Sequence, residues 1–418
     1  MLSKPSEVSN AAAARPISPG GHPDELALRP DERWPFYADD EIDAVAAVLR
    51  SGRVNQWTGP EVFAFEQACA ARFGGGRAIA LANGSVALEL ALRAFGVGPG
   101  DEVIVSPRSF VASASCASLV GATPVFADVD RDSGNITPRS VERVLSDRTR
   151  AVIPVHLSGW PADVPGIMDV VSGRDVKVIE DCAQAHGAEI DGVSVGSFGD
   201  AATFSFCQDK IISTGGEGGL LTIRDEAAAD WAWSFKDHGK DYAKATATSD
   251  EPGMFRWVHD RLGTNWRLTG PQAAIGLAQL PKLDDWRAER TRNAAIWGDA
   301  LGQVLGLRVP VPAGNSMRHA FYKLYFYVDR GDDEEAAKLR AEILTRAAGD
   351  GLRVFSGSCS EIYLEKAFSD LPHDDCPVSR SLGARSLMVE VHPTLRPDLL
   401  KLRADRLAEI ARRVLGRG

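Results

Sequence analysis

The spacing of apolar residues divides the chain into two textures. Residues 39–49 (DDEIDAVAAVL) open with an acidic turn and place apolar side chains at helical intervals, which predicts a surface helix. A second helix is predicted over 60–73, after a polar turn at 55–59. Short continuous apolar runs follow, at 78–82, 102–105, 124–127, 151–155, 176–179, 202–206 and 219–223, with helical patterns such as 86–95 and 111–120 between the early ones. Runs that are apolar throughout belong to strands covered on both faces. They predict an α/β domain with a mostly parallel seven-stranded sheet flanked by helices, with room for ligands at the strand ends.

After Gly270 the pattern changes to one long helix from 271 to about 301, with Leu277, Leu280, Leu283 and Trp286 at spacings of three. A smaller α+β unit is expected beyond it, beginning with a strand at 322–328. The chain of 418 residues exceeds one comfortable core. The expected division is a flexible tail (1–32), a large α/β domain (33–270), and a linking helix with a small C-terminal α+β domain (271–418).

Composition narrows the classes. A formal net charge of −10 argues against a broad nucleic-acid or anionic-membrane surface, since both partners reward excess Lys and Arg. No apolar run approaches the roughly 20 residues that span a bilayer, and residues 1–30 lack the apolar core of a secretory signal. Six cysteines without a CxxC spacing suggest reduced thiols in a cytoplasmic protein, with no metal site.

Three motifs carry chemistry. Leu81-Ala82-Asn83-Gly84-Ser85 ends a strand and opens a helix, offering free N–H groups and a hydroxyl that suit a phosphate; a simple helix cap is the competing reading. In Val178-Ile179-Glu180-Asp181 a carboxylate at the end of a buried strand is costly unless it meets a cation or a ring of donors. Lys210 follows the apolar run Ala202–Phe206 and precedes Gly215-Gly216-Glu217-Gly218-Gly219, a place where backbone can approach a ligand closely.

In this order and spacing the motifs resemble the sugar aminotransferase family known as DegT/DnrJ/EryC1/StrS, pyridoxal-phosphate enzymes of the aspartate-aminotransferase fold, type I. The resemblance runs from about Ser51 to the C-terminus and includes Gly263-Thr264-Asn265-Trp266-Arg267. It implies catalytic roles for Lys210 and Asp181. Lys210 matches the lysine that bonds the cofactor aldehyde as a Schiff base and carries protons once displaced. Asp181 matches the carboxylate that keeps the pyridine nitrogen protonated.

The resemblance places Gly84, Ser85 and Ser205 at the cofactor phosphate, Gln184 near its phenolic oxygen, and Phe110 over its ring, with core packing as the competing reading for Phe110. Asn265 matches a residue that reaches the phosphate of a neighbouring subunit, which implies a homodimer with shared sites. Arg267 is read either as a ligand for the donor's carboxylate or as a structural salt bridge. Trp57, Trp160, His319 and His392 are candidate borders of the acceptor pocket, with packing the competing reading for each.

Two departures bear on the substrate. The usual His-Pro-Thr-Lys or His-Ala-Ile-Lys is Cys207-Gln208-Asp209-Lys210 here, and Leu-Pro-Leu-His-Pro is Val389-Glu390-Val391-His392-Pro393. The resemblance implies transfer of an amino group from glutamate or glutamine to a keto-sugar, above all a nucleotide-linked keto-(deoxy)sugar, with pyridoxal 5'-phosphate and its pyridoxamine form as cofactor. The setting would be amino-sugar biosynthesis for a surface polysaccharide or a glycosylated secondary metabolite. Rivals are a keto-cyclitol aminotransferase, a keto-sugar dehydratase, which the lysine argues against, and a non-catalytic pyridoxal-phosphate-binding protein.

Overall fold

The computed structural model describes residues 26–247 and 255–416. Helices α1 (Asp39–Ser51) and α2 (Glu61–Phe73) precede the strands β1 (Arg77–Leu81), β2 (Glu102–Val105), β3 (Thr123–Phe126), β4 (Thr149–Ile153), β5 (Lys177–Asp181), β6 (Glu189–Ile190), β7 (Val193–Ser194), β8 (Ala201–Ser205) and β9 (Gly219–Ile223). Interleaved are α3 (Gly84–Ala94), α4 (Ala112–Leu119), α5 (Pro138–Val144), α6 (Val164–Val171), α7 (Glu226–Lys236) and α8 (Tyr242–Thr246). The main sheet has seven strands in the order β1-β9-β8-β5-β4-β2-β3. β3, β2, β4, β5 and β8 run parallel, and β9 returns antiparallel between β8 and β1. Every residue of β2 and β9 is buried, as continuous apolar runs require of strands covered on both faces.

The expected single helix over 271–301 is instead two. α9 (Gly270–Gln279) gives way to a 3₁₀ turn at Leu280–Lys282 before α10 (Leu283–Leu301). Pro281 lies in that turn, where it lacks the N–H that an α-helix interior needs. Beyond follow β10 (Leu307–Arg308), β11 (Met317–Arg318), β12 (Lys323–Val328), α11 (Asp333–Gly349), β13 (Val354–Phe355), α12 (Pro377–Arg385), β14 (Ser386–Glu390) and α13 (Pro397–Leu415). A four-stranded antiparallel sheet, β10-β12-β14-β13, packs with α10, α11 and α13 around a second core. No helix among the described residues is long and apolar enough to cross a membrane.

Part of the segment read as a tail is docked. Leu26 is buried in that second core, and fully buried Glu32 pairs with Arg403 of α13 at 2.6 Å. The sequence pattern missed this because the partner lies 371 residues away. Residues 1–25, the rest of the expected tail, lie outside the described residues.

Candidate active site

Lys210 is positioned by the way β8 turns back into β9. Backbone bonds from Phe206 N–H to the Gly218 carbonyl (2.8 Å), Gln208 N–H to Gly216 (3.0 Å) and Thr214 N–H to Phe206 (3.0 Å) close the connection into a compact loop. The indole N–H of Trp34 donates to the Lys210 carbonyl at 2.8 Å. The lysine side chain is only 16% exposed, with Nζ 3.9 Å from Asp209 Oδ1.

The two carboxylates that end β5 face opposite ways. Glu180 accepts from His156 Nε2 (3.0 Å) and from the N–H groups of Gly196, Phe198 and Gly199 (2.8 Å each). Burial alone would raise its pKa, but the His156 bond and these amides outweigh burial and hold it below the usual range. Asp181 accepts from the Ser113 hydroxyl at 2.9 Å and from Ala183 N–H at 3.1 Å. Burial wins there and raises its pKa, against the pull of those two bonds and of Lys210.

At the end of β1, the Asn83 side chain caps α3 by accepting from Val86 N–H at 3.0 Å, which leaves the N–H groups of Gly84 and Ser85 as free donors in the first turn. A Cβ on Gly84 would come within 2.8 Å of Ser205 Cβ, so only glycine lets this turn approach the end of β8. Gln184 accepts from Ser158 N–H through Oε1 at 2.7 Å, which turns its NH₂ end into the remaining donor. Phe110 is 63% exposed, so core packing does not account for it.

Gly84, Ser85, Phe110, Asp181, Gln184, Ser205 and Lys210 all line one cavity of about 830 Å³ at the carboxyl ends of the parallel strands. The donor set suits pyridoxal phosphate: hydroxyls and free amides for a phosphate at one end, and at the other a buried carboxylate whose raised pKa a cationic ring nitrogen would reverse. The family model described as the DegT/DnrJ/EryC1/StrS aminotransferase family matches residues 36–404. The chain belongs to this family.

This membership makes the chain a pyridoxal-phosphate-dependent aminotransferase. Among its relatives is the UDP-N-acetyl-3-dehydro-alpha-D-glucosamine 3-aminotransferase of Acidithiobacillus ferrooxidans, 36% identical over 84% of this chain and 88% of that protein. The L-glutamine:2-deoxy-scyllo-inosose aminotransferase of Streptomyces fradiae is 39% identical over 71% of this chain and 70% of its own length. The crystal structure of an aminotransferase from Psychrobacter cryohalolentis superposes with a TM-score of 0.84 at 47% identity, covering 90% of this chain and 97% of that one.

The remaining candidates of this DegT-type chain lie off the cavity. Asn265 is exposed and pairs backbone with Asp237. Arg267 forms a salt bridge at 2.7 Å to Asp237. Trp57 also donates to Asp237, at 3.0 Å, under the Lys240 ammonium. Trp160 packs edge-on to His319, which stacks on Phe321 and is pushed down to about 3 by burial. His392 is buried beside Trp34 and, chiefly by burial, held at about 2.

Sequence reasoning missed Ser113, which holds Asp181, as well as Tyr322 and Asp237. Ser113 sits at helical spacing among small residues and carries no signal of its own; Tyr322 enters from the bend just before β12. His156, Glu180 and Cys182 place ligand atoms within 4.8 Å of one another. Both His156 nitrogens are engaged, however, Nδ1 by Ala162 N–H at 2.9 Å and Nε2 by Glu180, and Glu180 is filled by amides.

Proposed function

We propose that the chain transfers an amino group from glutamate or glutamine to a keto-sugar carried on a nucleotide, with Lys210 and Asp181 as its catalytic residues. The observation that carries the reading is that Lys210, in the loop after β8, and Asp181, at the end of β5, share one cavity with the Gly84–Ser85 turn and Ser205. Pyridoxal phosphate, when bound, supplies the aldehyde that takes up the amino group and a ring that accepts electrons. Gly84, Ser85 and Ser205 would hold its phosphate, Phe110 would pack against it, and Gln184 would offer its free NH₂ as a donor. Asp181 would keep the ring nitrogen protonated, and the Ser113 hydroxyl bond keeps that carboxylate aimed. Lys210 moves the proton at the substrate carbon in both halves of the exchange.

The sugar-nucleotide acceptor is supported by the relative named for UDP-N-acetyl-3-dehydro-alpha-D-glucosamine. A keto-cyclitol acceptor is the second reading, favoured by the 39% identity to the scyllo-inosose enzyme. Asn265 is exposed and outside its own cavity, which supports its serving the cavity of a second copy in a homodimer. A cytoplasmic setting fits the six free thiols.

The test is to load the protein with pyridoxamine phosphate and offer UDP-, GDP- and dTDP-linked keto-sugars beside keto-cyclitols, reading the return of the visible absorbance of the aldehyde form. A response to a nucleotide-linked keto-sugar is expected. A response confined to keto-cyclitols would replace the first reading with the second, and Lys210→Ala should respond to none.

A further inference from the structure

The residue immediately before Lys210 is a carboxylate, where the family's usual His-Pro-Thr-Lys and His-Ala-Ile-Lys carry none. The oxygens of Asp209 are divided between two partners. Oδ1 lies 3.9 Å from Lys210 Nζ, and Oδ2 accepts a short hydrogen bond from the Tyr322 hydroxyl. The Tyr322 ring centroid is itself 4.9 Å from Nζ. A side chain as exposed as Asp209, at 51%, would ordinarily turn to water; the tyrosine holds it back.

Tyr322 has little freedom of its own. Its N–H donates to the Ser158 carbonyl at 2.9 Å, and its carbonyl accepts from Arg290 at 3.2 Å. Burial first, and then the Asp209 charge, push its hydroxyl well above the usual range, so it remains a donor. Arg290 is 1% exposed and lies 5.0 Å from the ring of Trp34, the residue that bonds the Lys210 carbonyl. The lysine is therefore gripped at its backbone through Trp34 and at its amine through Asp209, and both grips trace back to Arg290 on α10.

We propose that Asp209, fixed by Tyr322, is a positioning residue that holds the Lys210 nitrogen aimed into the cavity, both as the free amine and when it is bonded to the cofactor. A lysine stem is flexible and its ammonium is a point charge, so a fixed carboxylate at one side restricts where the amine waits. Other charged or titratable groups around the pair are Asp181 on β5, buried His186, Arg290, and Lys323, whose Nζ lies 5.3 Å from the Tyr322 ring and pairs with Glu390 on β14 at 3.3 Å. Among the described residues, Asp209 is the carboxylate within ion-pair distance of Lys210 Nζ.

The inference rests on Lys210 being the cofactor lysine, and borohydride reduction of the loaded wild-type protein with peptide mapping tests that separately. A label on another lysine would end that reading and this one with it. With the label on Lys210, Asp209→Asn in the loaded enzyme should lower kcat by roughly ten- to a hundredfold while the donor KM stays within about twofold. The pH midpoint of the cofactor's visible absorbance should fall by about one unit, because a negative charge favouring the protonated nitrogen is gone.

Asp209→Glu should restore most of the midpoint. Tyr322→Phe should move kcat and midpoint in the same directions by less, and add little on top of Asp209→Asn, since both act through one contact. An unmoved midpoint in Asp209→Asn, fully additive effects in the double variant, or a change confined to the acceptor KM would each overturn the proposal.

Discussion

Glu180 and Asp181 are consecutive carboxylates at the end of one strand, and alternation sends them to opposite sides of the sheet. Behind the sheet Glu180 meets a histidine and three amides and is held ionised; its region is saturated and its work is structural. On the cavity side Asp181 has one hydroxyl and one amide, and burial pushes its pKa the other way. The comparison teaches that equal burial does not make equal sites. A region built for stability satisfies its charge internally, whereas a region built for a ligand leaves a share of that satisfaction to the ligand.

The largest effect that would sharpen this contrast is on turnover. Asp181→Asn should lower kcat of the loaded enzyme by about 10²–10³-fold, the usual scale for removing an electrostatic partner of developing charge. The same substitution should leave the cofactor-free protein at least as stable at pH 7 by thermal unfolding. A group with a raised folded pKa loses stability as pH rises, and the neutral amide removes that loss. A cofactor-free Asp181→Asn protein that melts well below wild type would break the comparison.

Next in size, Glu180→Gln should cost about 3 kcal/mol in urea unfolding by leaving His156 and three buried amides facing a weaker acceptor. Activity per folded molecule should stay within a few-fold. A stable but inactive Glu180→Gln enzyme would mean that both carboxylates serve the chemistry.

The smallest effect per group is the acid limb of the stability curve. His186, His319 and His392 are buried and held near 3, 3 and 2, chiefly by burial. Groups with depressed folded pKa values contribute stability that is present above the unfolded value near 6.5 and is lost as pH falls. The melting temperature should therefore drop between pH 7 and pH 5, each histidine costing about 2 kcal/mol. Glu180 adds to the loss only below about 4.5, its own ordinary value. A melting temperature constant across that range would remove the histidine account.

The seven strands and the cavity-lining residues were legible because parallel strands buried on both faces write continuous apolar runs, and the residues that line the cavity sit where those runs stop or just beyond. Asp181, Ser205 and Lys210 all follow that rule. Ser113 did not, because its hydroxyl differs from its neighbours only in where α4 points it. Tyr322 could be read as the first residue of a strand but not as a neighbour of Asp209, 113 residues earlier. The break at Pro281 was legible in principle, and helical periodicity on either side of it concealed it. The docking of residues 26–32 rests on Arg403, and no local pattern encodes a contact with a helix 371 residues further on.

That contact sets an order of events during synthesis. Arg403 follows Glu32 by 371 residues, so Glu32 waits through the synthesis of that whole stretch for its partner. Trp34, two residues on, reaches the Lys210 carbonyl from the same segment. A nascent chain can form the seven-stranded sheet early, but the loop that bears the lysine acquires its final support only once α13 has been made and has met this segment. Such a protein matures as a catalyst late, after its main domain has already taken shape.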